Sequence, residues 1–276
     1  MTYKTVMVGL ALDRSNDARL EIAGQLVKQF GAHAIGIAAG EFSPPLYFTE
    51  GEQAQRVLDQ GQAAIKNRLA EIEAQFRAAM LNRAAGVEWR CAEDFPTRFA
   101  VRQARAADIV VVGGEGGETL ADPYSDTNSS DLVMQLGRPV LVVPDSCNWL
   151  DLRSILIAWK DTPEARRAIV DALPMLRQAK DVAVVEIIEE EVNRTAALSG
   201  IRDVVVWLSR HGVVASEQVP AEKGNATQKI ERIASEVGAG LIVAGAYGHS
   251  RLREWVFGGM TRSLLNPSDR CSLLSC

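Results

Sequence analysis

The chain has 276 residues, 47% of them hydrophobic and 24% charged, with a net charge of −5 and a pI near 5.4. That balance describes a globular chain with ample core and excludes a sequence-independent grip on nucleic acid or anionic lipid. The longest apolar runs, such as Ile109–Val112, are far short of the roughly 20 residues that span a bilayer, and Met1-Thr2-Tyr3-Lys4-Thr5 shows no signal-peptide pattern, so a cytoplasmic location is expected.

In chain order, Val6–Leu10 reads as a buried strand. A helix follows from about Asn16 to Phe30, with Leu20, Ala23, Leu26, Val27 and Phe30 at helical spacing. A second strand spans Ala34–Ala38. The aromatic, proline-rich segment Phe42–Phe48 reads as a cover over the sheet edge, with a lid or partner surface as the other reading. A long helix is expected over Glu52–Ala84, with Val57, Ile65, Leu69, Ile72 and Phe76 on one stripe. Strand Glu88–Cys91, helix Thr97–Arg105 and strand Ile109–Val112 come next. Strand Val140–Val143 and a short linker, Pro144–Asn148, close this half.

The order then starts again. Strand Ile155–Trp159 leads to a helix over Thr162–Gln178, with Pro163 suited to its first turn. Strand Val182–Ile188, a helix over Ala197–His211, strand Val213–Val219, a helix over Thr227–Val237 and strand Leu241–Ala244 follow. Strands alternating with helices imply βαβ crossovers and parallel sheets covered on both faces. Ile109-Val110-Val111-Val112-Gly113 is matched 132 residues later by Leu241-Ile242-Val243-Ala244-Gly245, without a gap, and Val140–Val143 by Ser272–Ser275. The chain is therefore read as two tandem doubly wound α/β domains, 1–146 and 152–276. From first strand to framework glycine the first is 17 residues longer. An unpaired apolar edge strand invites aggregation, so the two final strands are expected to pair antiparallel, forming an internal pseudo-dimer.

Only the second copy has the complete framework Gly245-x2-Gly248-x9-Gly258-Gly259. In an open α/β sheet, ligands bind at the carboxyl ends of strands near helix N-termini, where free N–H groups favour an anion. Glycines at 245 and 248 suit a tight turn and close approach of a ligand. His249, Ser250, Arg251 and Arg253 add donors and charge between them. The bland alternative is that these glycines only satisfy tight turns. No Walker A or dinucleotide G-x-G-x-x-G pattern fits.

The segment from Gly245 to Thr261 resembles the G-x2-G-x9-G-(S/T) signature of the universal stress protein family, and the likeness in element order covers both halves. The resemblance implies a five-stranded parallel sheet in each domain, pairing through last strands, and ATP or AMP as ligand, with Mg²⁺ accompanying ATP. By position it places the nucleotide at Ala158, Trp159, Lys160 and Asp161, at Ile187, and at Ala244, Gly245, Tyr247, Gly248, His249, Ser250, Gly258, Gly259, Met260 and Thr261. Two positions depart from the family pattern. Lys160 stands where an aspartate is usual, with Asp161 one residue late, and Gly259 replaces a hydroxyl residue.

In the first copy Asp126 and Thr127 stand where Gly258 and Gly259 stand. Glu115, Glu118, Asp122 and Asp126 would repel a triphosphate unless a metal intervened, so a degenerate site is expected there. Asp126 is expected to cap the N-terminus of its own helix, worth about 1 kcal/mol. The readings left open are a non-catalytic adenine-nucleotide sensor, a scaffold or protein-partner module with both sites empty, and a slow nucleotide hydrolase. The tandem chain is expected as a monomeric pseudo-dimer or a homodimer. No catalytic constellation stands out, and His33, His211 and His249 lack metal-ligand spacing. Cys91, Cys147, Cys271 and Cys276 show no C-x-x-C spacing and read as reduced, mostly buried thiols.

Overall fold

The computed structural model describes residues 2–43, 52–115, 122–188, 194–220, 225–246, 259–266 and 269–276. They form two compact units, Tyr3–Arg138 and Pro139–Cys276. The first runs β1 (Thr5–Gly9), α1 (Asp17–Phe30), β2 (His33–Gly40), α2 (Glu52–Met80), β3 (Gly86–Glu93), α3 (Pro96–Gln103), β4 (Ile109–Gly113) and α4 (Ser129–Gln135). Its parallel strands lie in the order β3-β2-β1-β4. Helix α1 packs on β1 and α2, and α3 packs on β2 and α4.

Local chemistry sets these boundaries. Helix α1 ends at Gly31, whose left-handed φ of 59° turns the Ala32 N–H back onto the Val27 carbonyl at 2.9 Å, the usual glycine stop. Helix α2 stops at Met80 rather than Ala84, because Asn82 turns to φ 59° and the N–H groups of Arg83 and Ala84 both donate to the Met80 carbonyl. Its buried stripe is Leu69, Ile72, Phe76 and Met80, while Val57 and Ile65, expected on that stripe, stay half-exposed. The packing against β2 is close: a Cβ on Gly36 would lie 2.7 Å from the Phe76 ring. Most of the segment 42–48 lies outside the described residues.

The second unit runs β5 (Val140–Val143), β6 (Ser154–Trp159), α5 (Pro163–Leu176), β7 (Asp181–Glu186), α6 (Arg194–Arg210), β8 (Ala215–Gln218), α7 (Ala226–Glu236), β9 (Leu241–Gly245), α8 (Gly259–Leu265) and β10 (Cys271–Ser275). Its strand order is β5-β10-β9-β6-β7-β8. All its neighbouring strands are parallel except β5 and β10, which pair antiparallel with Leu141 opposite Leu273. The pairing of final strands expected from the repeat is thus present, and it groups β5 with the second unit. Strands β5 and β9 are wholly or almost wholly buried, which is why they read as unbroken apolar runs. Among the described residues no helix is long and apolar enough to cross a membrane.

Candidate functional site

The ladders show how the two halves correspond. Val6 pairs with Ile109 in the first unit and Ile155 with Leu241 in the second, so β1 matches β6 and β4 matches β9. Burial extends the match into the helices: Arg19, Leu20 and Ala23 are buried in α1, as are Ala168, Ile169 and Ala172 in α5.

In the second unit the carboxyl edge carries the ends of β6, β7 and β9. Ala158 lies beside Ala244 and Trp159 beside Glu186, while Gly245 is level with Ser275. Parallel partners point to the same face, so Trp159 and Glu186 share one side of the sheet. Trp159 is 7% exposed, yet its Nε1, like Glu164 Oε2, is buried without a hydrogen-bond partner among the described residues. A buried polar atom without a partner is costly and calls for one. Lys160 is exposed, and Asp161 is held by Arg166 at 2.6 Å. Burial pushes the Glu186 carboxyl pKa up, with Asp161 adding to the rise and Lys160 opposing it. Glu186 escaped the sequence reading. Its signal was a carboxylate ending an apolar strand, one residue before Ile187.

Ile187 lies just past β7 and is half-exposed. Gly259 and Met260 open α8, and Thr261 is buried. Tyr247, Gly248, His249, Ser250 and Gly258 lie outside the described residues. Gly245 has a structural role that the sequence reading assigned to a ligand: an added Cβ would sit 2.4 Å from the Ala165 backbone nitrogen. The backbone of α5 makes that close approach.

The same edge of the first unit is filled by the chain's own charges. Arg19, fully buried, sends Nη2 to Asp126 Oδ2 at 3.0 Å and Nη1 to both Asp126 Oδ1 and the Gly9 carbonyl. Arg14 reaches the same carboxylate at 2.5 Å and donates to the Gly114 carbonyl. A Cβ on Gly113 would collide with the Arg19 guanidinium at 2.4 Å, so glycine there makes room for the arginine. Glu115 accepts from the Ser130 N–H and hydroxyl at the start of α4, and the Ser129 hydroxyl donates to the Gly113 carbonyl.

One expectation is corrected here, and one carboxylate is found with a partner. Asp126 does not cap the helix: α4 begins at Ser129, and its cap is Asn128, which accepts from the Asp131 N–H at 2.8 Å. Asp126 instead takes the adjacent Thr127 N–H and two guanidinium groups. Glu115, expected to repel a phosphate, is occupied by the first turn of α4. Arg14 and Arg19 were missed, although Arg19 lies in sequence on the stripe of Ala23, Leu26 and Phe30, where a charge needs a buried partner.

Burial pushes the Asp126 carboxyl pKa up, but Arg19, Arg14 and the Thr127 N–H more than offset it and hold it below the ordinary value. A depressed folded pKa contributes stability that is present above the unfolded value of about 3.9 and is lost as pH falls through the lowered one. Asp126→Asn should therefore be less stable than the parent at about pH 6, with the gap narrowing towards about pH 2.5. Urea unfolding of both proteins across that range checks this, and a gap independent of pH would contradict it.

Fold and site together define a class: tandem doubly wound α/β units with a carboxyl-edge glycine framework. No family model and no curated protein matches the chain. Solved structures do match. A universal stress protein from Archaeoglobus fulgidus DSM 4304 aligns with a TM-score of 0.73 at 14% identity, covering 98% of this chain and 97% of that one. A functionally unknown protein from Pseudomonas aeruginosa PAO1 aligns at 0.59 and 12% identity, over 99% and 92%. The chain has the universal stress protein fold. A universal stress protein in complex with cAMP is 26% identical over 53% of this chain and 100% of its own, but its TM-score of 0.37 is too low for its ligand to be carried over.

Proposed function

We propose that this is a stress-response protein that senses an adenine nucleotide, ATP or AMP, in its second domain and does no chemistry on it. One observation carries the reading: where the first unit buries the Arg19–Asp126 pair, the second has Ala168 and Gly258 at the matching positions. At those two positions the second unit carries neither charge. The unpartnered Trp159 Nε1 fits a site that lacks a polar partner. The half-buried Glu186 carboxyl, whose pKa burial raises, can accept a hydrogen bond from a base. Phosphates would lie towards Gly258 and Gly259, with Mg²⁺ neutralising ATP. The domain limits 1–146 and 152–276 and a cytoplasmic location belong to the same reading.

Calorimetry with ATP, ADP and AMP, with and without Mg²⁺, tests it on the parent and on Gly258→Val. Saturable binding by the parent and a loss of at least tenfold in the variant are expected. Equal binding by both, or none by the parent at saturating ligand, would favour a scaffold of this fold with both sites empty.

A further inference from the structure

A pair of cysteines brought together in the second unit has no role in the nucleotide reading. Cys147 follows the turn that leaves β5, its N–H donating to the Pro144 carbonyl at 3.0 Å. Cys271 is the first residue of β10, in register with Leu241 of β9. These residues are 124 positions apart, yet their sulfurs lie 3.7 Å from each other, with Cys147 8% exposed and Cys271 fully buried. A disulfide needs an S–S distance of about 2.05 Å, so closure asks for roughly 1.7 Å of approach. Cys147 sits outside helix and strand, where side-chain rotation and a small shift of its turn can supply that. Cys91 is exposed and Cys276 half-exposed.

We propose that Cys147 and Cys271 form a reversible dithiol switch that reacts with hydroperoxides, Cys147 as the nucleophile and Cys271 as the resolving thiol. The two sulfurs are electronically unequal. Either sulfur can donate across this contact; with Cys271 as the donor, a thiolate at Cys147 is stabilised and its pKa lowered to about 6, against burial and the Asp269 charge. The same contact, with burial, raises the Cys271 thiol well above its ordinary value. Thiolate, not thiol, is the reacting form. The Cys147 thiolate attacks one peroxide oxygen; the S–O bond forms, the O–O bond breaks, and the departing oxygen takes a proton and leaves as water or an alcohol. Cys271 then gives up its proton and attacks the sulfenic sulfur; the S–S bond forms, the S–O bond breaks, and water leaves. Two electrons pass from the thiol pair to the peroxide, and a dithiol reductant returns them.

The pair lies at the amino end of β10, while Gly245 is level with Ser275 at the other end. Oxidation therefore locks the turn after β5 to the start of β10 without entering the nucleotide edge.

The test is made on the full chain. Trypsin cleaves after Arg270 and releases Cys271–Cys276 as one peptide, so a Cys276→Ser background makes the linkage unambiguous. Treatment with hydrogen peroxide should give a peptide linked through Cys147 and Cys271, reversed by dithiothreitol, ahead of oxidation at Cys91. In a Cys271→Ser variant the reaction should stop at a Cys147 sulfenic acid trapped by dimedone. Oxidation confined to Cys91, a cross-link between chains, or Cys147 carried on to sulfinic acid without the linked peptide would overturn the proposal. The parent measurement stands even if the Cys271→Ser variant fails to fold.

Discussion

Replacing Asp126 with leucine should destabilise the first unit by about 3–5 kcal/mol, the usual cost of removing one partner from a buried ion pair. The carboxylate is 1% exposed and its Arg19 partner fully buried. Without it, the Arg19 guanidinium keeps the Gly9 carbonyl as its one acceptor among the described residues. The expected loss is several times that of a helix cap, because the carboxylate neutralises charge rather than closing a turn. Arg19→Ala with Asp126→Gly, which recreates the second unit's Ala168 and Gly258, removes both charges together. Arg14, 21% exposed, can turn to water. The double variant should therefore cost less than the sum of Arg19→Ala and Asp126→Gly by about 1–3 kcal/mol. Urea unfolding of the three proteins measures that coupling, and additive losses would show that the pair does not act as a unit.

Two framework glycines of the second unit should respond in opposite ways to alanine. At Gly245 the new Cβ would meet backbone atoms of α5, the Ala165 nitrogen at 2.4 Å and the Glu164 carbonyl carbon at 2.6 Å. That turn is fixed by Thr162, which accepts from the Ala165 N–H, so it yields only by displacing the helix start. A loss of about 1–3 kcal/mol is expected, as for overpacking elsewhere. At Gly259 the nearest atom among the described residues is the Thr227 hydroxyl at 3.9 Å. Alanine fits there without strain, and the stability change should stay within about 0.5 kcal/mol. Thermal melts separate the two, since each 1 kcal/mol moves the midpoint by about 2–4 °C in units of this size. A ligand-binding defect in Gly245→Ala would accordingly report on packing. Equal melting of the two variants would mean that the α5 contact is not tight.

The comparison of the halves changes the meaning of the glycine framework. Gly113 and Gly245 end equivalent strands, yet one makes room for a guanidinium and the other for a helix backbone. The halves also differ at the position held by Asp126 in one and Gly258 in the other.

The antiparallel pairing of β5 with β10 was expected from the cost of an exposed apolar edge and from the family resemblance, whereas composition, repeat and periodicity were enough for the alternating strands and helices and the tandem organisation. These follow from regularities written along the chain, namely apolar strand runs, helical stripes and a 132-residue offset. Which glycine serves packing, which carboxylate caps α4, and which side chains meet at the strand ends depended on tertiary structure. Arg19 and Asp126 are 107 positions apart, and Cys147 and Cys271 are 124. Sequence spacing carries no trace of such contacts, because they arise only when crossovers bring separate strand ends to one edge of a sheet. The physical reason is one of range: backbone propensity and amphipathic burial act over a few residues, whereas a buried charge or thiol takes its chemistry from whatever the fold sets beside it.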